Sequence, residues 1–264
     1  MKMFMGVVAL SMASCAAHRS QAPVVDPSVH YRVQVDADFG PALSGDTVLQ
    51  APMKARLEMR LSSSPTRRFR DGSVGHLLRF EDVNLLVDST PQPIELEGRS
   101  VEIRTFLNGE ILDIAWMDKV SGHGRYLDVF GVVFSALSPA PPSLKVAERS
   151  NRRIIWPFRV GKQLRWDNAV QAVWTNEGRV QTDDGHSAWK IKYSGPWSVT
   201  GGTRFQTPEI QYTARGAGEG TILMDVRERE LLRHQFEWSR DVTVMGVDAV
   251  SQAQTFRGTV EVMP

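Results

Sequence analysis

The sequence predicts a mainly β protein: two similar antiparallel units with long hairpins, curved sheets around an apolar interior, and one or two short helices. Three observations carry that expectation. Apolar and polar residues alternate strictly in Tyr31–Asp36 and in Lys54–Leu61, where Ala55, Leu57, Met59 and Leu61 share one face. That period of two marks a strand with one dry and one wet face. Turn signals separate such stretches at Asp71-Gly72, Asn108-Gly109 and Asp184-Gly185; Asn-Gly is the strongest of them, because a type I′ turn needs positive φ. Finally, Pro139, Pro141 and Pro142 stand together near the middle of the chain, where neither a helix nor a central strand can continue.

Taken in order, the chain opens with Lys2, a short apolar run from Met3 to Leu10, and the small residues Ala13 and Ser14 before Cys15. This is the layout of a secretory signal, too short to span a membrane. Met12-Ala13-Ser14-Cys15 resembles the lipobox of bacterial lipoproteins, with Met12 where that family usually has leucine. The resemblance implies cleavage before Cys15, lipid on its sulfur, and a new acylated N-terminus. Ala16 follows, rather than aspartate, which in proteobacterial lipoproteins of this kind implies sorting to the outer membrane, with the body facing the periplasm of a Gram-negative cell. Residues 1–14 are then a signal peptide and 15–29 the lipidated cysteine with a flexible tether. Ala16–Val29 is polar, carries two prolines and has no hydrophobic period; fully extended it reaches roughly 45–50 Å.

Residues 30–138 form the expected first unit. Ser62–Ser73 reads as a polar loop containing Pro65, and Leu78–Val87 as a strand broken near Glu81-Asp82. Val101–Phe106 and Ile111–Trp116 flank the Asn108-Gly109 turn, and Tyr126–Leu137 has apolar residues at helical spacing. Residues 139–151 read as a proline-rich linker, continued by the exposed Arg149, Arg152 and Arg153. Residues 152–264 form the expected second unit, rich in tryptophan. In it Val170, Ala172 and Trp174 alternate with polar neighbours, Gly195, Gly201 and Gly202 mark loops, and Thr221–Val226 pairs with Leu231–Trp238 across a charged turn. A shift of about 120 residues lays Glu110-Ile111-Leu112 on Glu230-Leu231-Leu232, a weak internal repeat compatible with duplication of one antiparallel unit.

Composition narrows the function classes. The chain has 31 basic and 30 acidic residues, and loss of residues 1–14 removes one lysine. A neutral body of this kind argues against nucleic acid, whose binding needs clustered positive charge. Cys15 is the only cysteine, so a lipidated chain has no disulfide, thiol nucleophile or thiolate metal site. No nucleophile elbow, His-Glu-x-x-His or phosphate-binding Walker loop is present. Gly216-Ala217-Gly218-Glu219-Gly220 precedes a strand and reads as a flexible turn rather than a phosphate cradle. His18, His30, His123 and His186 fall in exposed settings, and no two histidines have ligand spacing. The pairs Asp36/Asp38 and Asp183/Asp184 sit at expected strand ends or turns, where Asp caps backbone amides. The sequence therefore points to a non-catalytic chain without cofactor or metal.

Two functions remain open: holding an apolar ligand, such as an acyl chain, in a sheet-lined cavity, or contributing a protein-binding surface to an envelope complex. The outline is loosely similar to the β-rich, half-barrel lipoproteins that carry or receive lipids. Its candidate ligand contacts are His234 and Trp238, which share an inward strand face, and Trp156 and Trp197, which flank prolines in expected loops. A hydrogen-bonded core histidine and core-filling tryptophans are the structural alternatives. The basic group Arg67-Arg68-x-Arg70 lies in the polar loop, where it meets either solvent or anionic headgroups.

Overall fold

The computed structural model describes residues 28–105, 111–116, 132–134, 136–137, 145–160, 164–203, 210–227, 230–246 and 248–263. They form one antiparallel sheet of 14 strands with almost no helix. The first stretch of chain supplies β1 (Val29–Phe39), β2 (Ala42–Ser44), β3 (Thr47–Gln50), β4 (Met53–Arg68), β5 (Val74–Val87), β6 (Thr90–Gln92), β7 (Ser100–Thr105) and β8 (Ile111–Trp116). The second supplies β9 (Arg149–Val160), β10 (Leu164–Gln181), β11 (Ser187–Thr203), β12 (Gln211–Asp225), β13 (Leu231–Met245) and β14 (Ala249–Val262).

The strand order is β8-β7-β5-β4-β1-β14-β13-β12-β11-β10-β9. The alternating stretches noted above are β1 and β4, which pair with Val33 opposite Met59 and Val35 opposite Leu57. On its other side β1 pairs with the last strand, Tyr31 opposite Val262 and Phe39 opposite Gln254. The two halves of the chain are thus wings of a single sheet, joined by a ladder between the first and last strands. The sheet curls until its terminal strands, β8 and β9, lie against each other; no ladder joins these two among the described residues.

Curling encloses one face. Val33, Val35, Leu57, Leu61, Phe80 and Val101 from one wing and Ala172, Trp174, Trp238, Phe256 and Val260 from the other belong to one continuous core. Val132, Val133, Phe134 and Ala136, which are helical, lie in the same core at 0–1% exposure. The ring of Phe134 meets that of Phe80 edge-on at 6.3 Å. The enclosed space is therefore filled in part by a helical piece of the chain itself.

Local breaks follow the sequence signals where they were strong. Asp71-Gly72 turns the chain between β4 and β5, with Gly72 at φ 83°. The break near Glu81-Asp82 is a bulge: Asp82 has φ 49°, and the β4–β5 register shifts between Glu58 and Arg60. β7 and β8 flank Asn108-Gly109 antiparallel; the turn itself lies outside the described residues, as do Cys15, His18, His123 and most of Tyr126–Leu137. β12 and β13 form the expected hairpin, Met224 opposite Leu231.

Several expectations are corrected. Ser62–Arg68 is strand, not loop: β4 continues through Pro65, which pairs only with β5 beyond the end of β1, where no second neighbour needs its N–H. Gly195, Gly201 and Gly202 lie within β11, and Gly216–Gly220 within β12. Arg149, Arg152 and Arg153 are β9 residues, paired with β10. Asp36 and Asp38 lie in the last four residues of β1, on its outward face, where Asp36 accepts from Arg56 at 2.7 Å and Asp38 lies 3.4 Å from Arg257.

Candidate ligand site

The aromatic side chains gather on the inner face of β10–β14. Inward positions of β13 carry His234, Phe236, Trp238, Arg240 and Val242, all buried. Those of β11 carry Tyr193, Trp197 and Val199, and β10 adds Trp174. Between β11 and β13 runs β12, whose inward positions from Gly216 to Gly220 are glycine at every second residue. The reason is steric. A Cβ on Gly218 would sit 2.7 Å from Trp238 Cδ1, and one on Gly220 only 2.6 Å from the Tyr193 ring and hydroxyl. The glycine row is the floor over which the flanking aromatics lean.

The rings pack at stacking distances. Trp197 and Trp238 lie 5.0 Å apart, Phe236 and Trp238 4.8 Å, and Trp174 and Tyr193 4.9 Å. Such pairs contribute about 0.5–1.5 kcal/mol each beyond the area they bury. The guanidinium of Arg240 lies over Trp197 at 4.7 Å and over Phe256 at 5.1 Å, and its Nε donates to Gln254 Oε1 at 2.9 Å.

A directed chain of hydrogen bonds crosses this cluster. Trp238 Nε1 donates to Tyr193 Oη at 2.9 Å, Tyr193 Oη lies 2.8 Å from His234 Nε2, and His234 Nδ1 lies 2.8 Å from the Ala136 carbonyl. A carbonyl only accepts, so Nδ1 carries the hydrogen; neutral imidazole then leaves Nε2 to accept from the tyrosine hydroxyl. Every member is satisfied only in this tautomer. Burial pushes the His234 pKa down to about 4 and raises that of Tyr193, so both stay neutral near pH 7. Through His234 the sheet grips the helical residues that share its interior. Two other groups fare differently: among the described residues Trp174 Nε1 and Trp197 Nε1 are buried without a hydrogen-bond partner. An unmet buried donor costs about 1–3 kcal/mol.

The sequence candidates fall unevenly. His234 and Trp238 share the inward face, as expected. Trp197 is corrected: it is a 2%-exposed strand residue in the aromatic cluster, not an exposed loop residue. Trp156 lies in β9, opposite Asn168 of β10. Sequence reasoning did not single out Tyr193 as a site residue and read the glycine row as a flexible turn, although Gly at every second residue beside aromatic strands was the available signal. On the outward face of β1 and β10–β14 lies an open polar groove that includes Asp36, Lys192, Glu219, Glu237 and Arg257. There Arg257 pairs with Asp38 and Glu237, at 3.4 and 3.0 Å. Among the described residues no group of three or more His, Cys, Asp or Glu side chains has metal-site geometry, and no helix is long and apolar enough to cross a membrane.

Comparison with protein-family models and with curated sequences finds no match to this chain.

Proposed function

We propose that the chain is a non-catalytic bacterial envelope lipoprotein, held at the outer membrane through lipid on Cys15, whose curled sheet takes an apolar ligand such as an acyl chain into its interior. The observation that carries this reading is the aromatic inner face, in which Trp174, Tyr193, Trp197, Phe236 and Trp238 are buried together and Tyr193 and Trp238 lean over a row of glycines. Three further features support it. Among the described residues the interior is shared with the helical Val132, Val133, Phe134 and Ala136. The terminal strands β8 and β9 meet without a ladder among the described residues, so widening the sheet there breaks none of the described strand pairings. The unmet N–H groups of Trp174 and Trp197 offer donors to a polar atom on an otherwise apolar guest.

One observation favours the second reading, an assembly lipoprotein with an ordinary packed core. Val132, Val133, Phe134 and Ala136 are almost fully buried where the guest would lie. An apolar guest must then displace them or lie beside them. Native mass spectrometry of the chain purified without detergent separates the two. A co-purifying lipid adduct that is lost when Gly218 is replaced by leucine supports the ligand reading. A clean protein mass, with a partner protein recovered in pull-down, supports the assembly reading and sinks the first.

A further inference from the structure

The β4–β5 hairpin tip lies at the end of the sheet where the chain enters it. Val29, the first residue of β1, stands opposite Ser63 of β4, and β4 runs on from Ser64 to Arg68 before turning at Asp71-Gly72 into Val74. Those residues carry the hairpin roughly 17 Å past the start of β1. The tip is a built turn. Phe69 N–H donates to the Ser73 carbonyl at 2.8 Å, Ser73 Oγ donates to Asp71 at 2.6 Å, and Arg104 on neighbouring β7 reaches both Ser73 and Asp71, at 2.8 and 2.6 Å. The Phe69 ring is clasped between Arg104 and Arg67, whose guanidinium carbons lie 4.0 and 4.5 Å from its centre. It packs over Gly75, which leaves room for it.

Charge at this tip is unbalanced toward solvent. Arg104 is matched by Asp71 and stands opposite Asp113 of β8 in the strand register, while Arg67 is matched by Glu102 at 3.5 Å. Arg68 and Arg70 are exposed and make no ion pair among the described residues. The far wing carries Asp183, Asp184 and Asp225 beside His186 at the same end, with Arg227 exposed in the β12–β13 turn, whereas the β4–β5 tip brings Arg67, Arg68 and Arg70 together within four residues.

We infer that the β4–β5 tip, through Arg68 and Arg70 with the Arg67–Phe69–Arg104 clasp behind them, docks on the anionic lipid headgroups of the membrane that holds the chain's N-terminus. The orientation rests on the proposed anchor at Cys15. The chain from Ala16 to Val29 spans at most roughly 45–50 Å, about the length of β5, with its 14 residues at ~3.3 Å each. The opposite end of the sheet reaches the bilayer only if that chain is pulled straight along the whole body, whereas the hairpin tip needs no stretching. Exposed arginines near an anionic surface strengthen binding by roughly 5-fold each, within a Debye length.

The test uses the full chain with Cys15→Ser, which carries no lipid, beside the same chain with Arg68→Gln and Arg70→Gln. Both are sedimented with vesicles of phosphatidylcholine, with and without phosphatidylglycerol. The expected result is a roughly 25-fold weaker partition of the arginine variant onto the anionic vesicles. Partition onto neutral vesicles should be equal, and the difference should vanish in 1 M salt. A difference under about 2-fold, or an equal loss on neutral vesicles, overturns the docking surface. So does selective competition by inorganic phosphate over chloride at matched ionic strength, which marks a discrete anion pocket instead. The mass of Cys15 in the unmodified chain is read separately. No lipid there overturns the anchor, and the arginine difference still decides the surface; lipid without an arginine difference overturns the surface alone.

Discussion

His234 should make the protein sensitive to mild acid. In the folded chain its imidazole is buried at 1% exposure, with Nδ1 given to Ala136 and Nε2 taken by Tyr193. Burial lowers its pKa from 6.5 to about 4. In the unfolded chain the group titrates near 6.5, so between these values the unfolded state binds the proton that the folded state refuses. Stability from this group is complete above about pH 6.5 and falls as pH drops toward 4. Linkage gives a loss of about 2 kcal/mol between pH 7 and 5, and about 3 kcal/mol over the whole window. For a domain of this size 2 kcal/mol corresponds to a fall of roughly 4–8 °C in melting temperature. The assay is urea denaturation across that pH range for the parent and for His234→Gln, which keeps one donor and one acceptor but no titration. His76, whose pKa burial also lowers, and the carboxylates contribute equally to both chains and cancel in the comparison. The parent curve should fall more steeply than the variant's by the amount above. Parallel curves would refute the buried, neutral His234 and with it the directed chain from Trp238 to Ala136.

Other outcomes follow from particular contacts. Tyr193→Phe keeps the ring but strands Trp238 Nε1 and His234 Nε2, and should cost about 2–5 kcal/mol in chemical denaturation. Gly220→Ala puts a methyl 2.6 Å from Tyr193 and should cost about 1–3 kcal/mol, whereas alanine at Gly40, whose nearest neighbour would be 3.3 Å away, should cost well under half of that. Cutting the chain with trypsin at exposed Lys145 should leave both fragments together through gel filtration and one melting transition, because β1 and β14 pair across the two halves; fragments that separate would contradict the single sheet. Cys15→Ser should leave an uncleaved or soluble species in cell fractionation, and its continued presence in the outer membrane would defeat the lipobox reading.

What the sequence made legible was local. Strict alternation located β1 and the first part of β4, and paired turn residues located the β4–β5 and β10–β11 turns. Alternation faded at Ser62–Arg68 because the hairpin tip there has little core to face, so polar residues fill both sides of a strand. Glycine misled twice. Its weak strand propensity made Gly201-Gly202 and Gly216–Gly220 read as breaks, yet in β12 the missing side chains are what lets Tyr193 and Trp238 close over the strand. Trp197 was misplaced for a related reason, since Pro196 beside it argued for a loop. The pairing of Tyr31 with Val262 has no local signature at all. Nothing in either segment names its partner, and that non-local ladder decides whether the chain is two units or one sheet. Helical spacing over Tyr126–Leu137 pointed to the helix found at residues 132–134 and 136–137, but nothing in that spacing says that the helix lies inside a curled sheet.

The central claim, an interior open to an apolar guest, is tested most directly by titrating the purified chain with a fatty acid brominated along its acyl chain and following tryptophan emission. Bromine quenches only indoles it touches. Trp174, Trp197 and Trp238 lie fully buried on the inner face, so the account predicts saturable quenching, competed by the unbrominated acid and abolished in a Gly218→Leu chain that still folds. Emission that stays unchanged at concentrations where the acid partitions freely would contradict it, and would leave the aromatic cluster as a closed core.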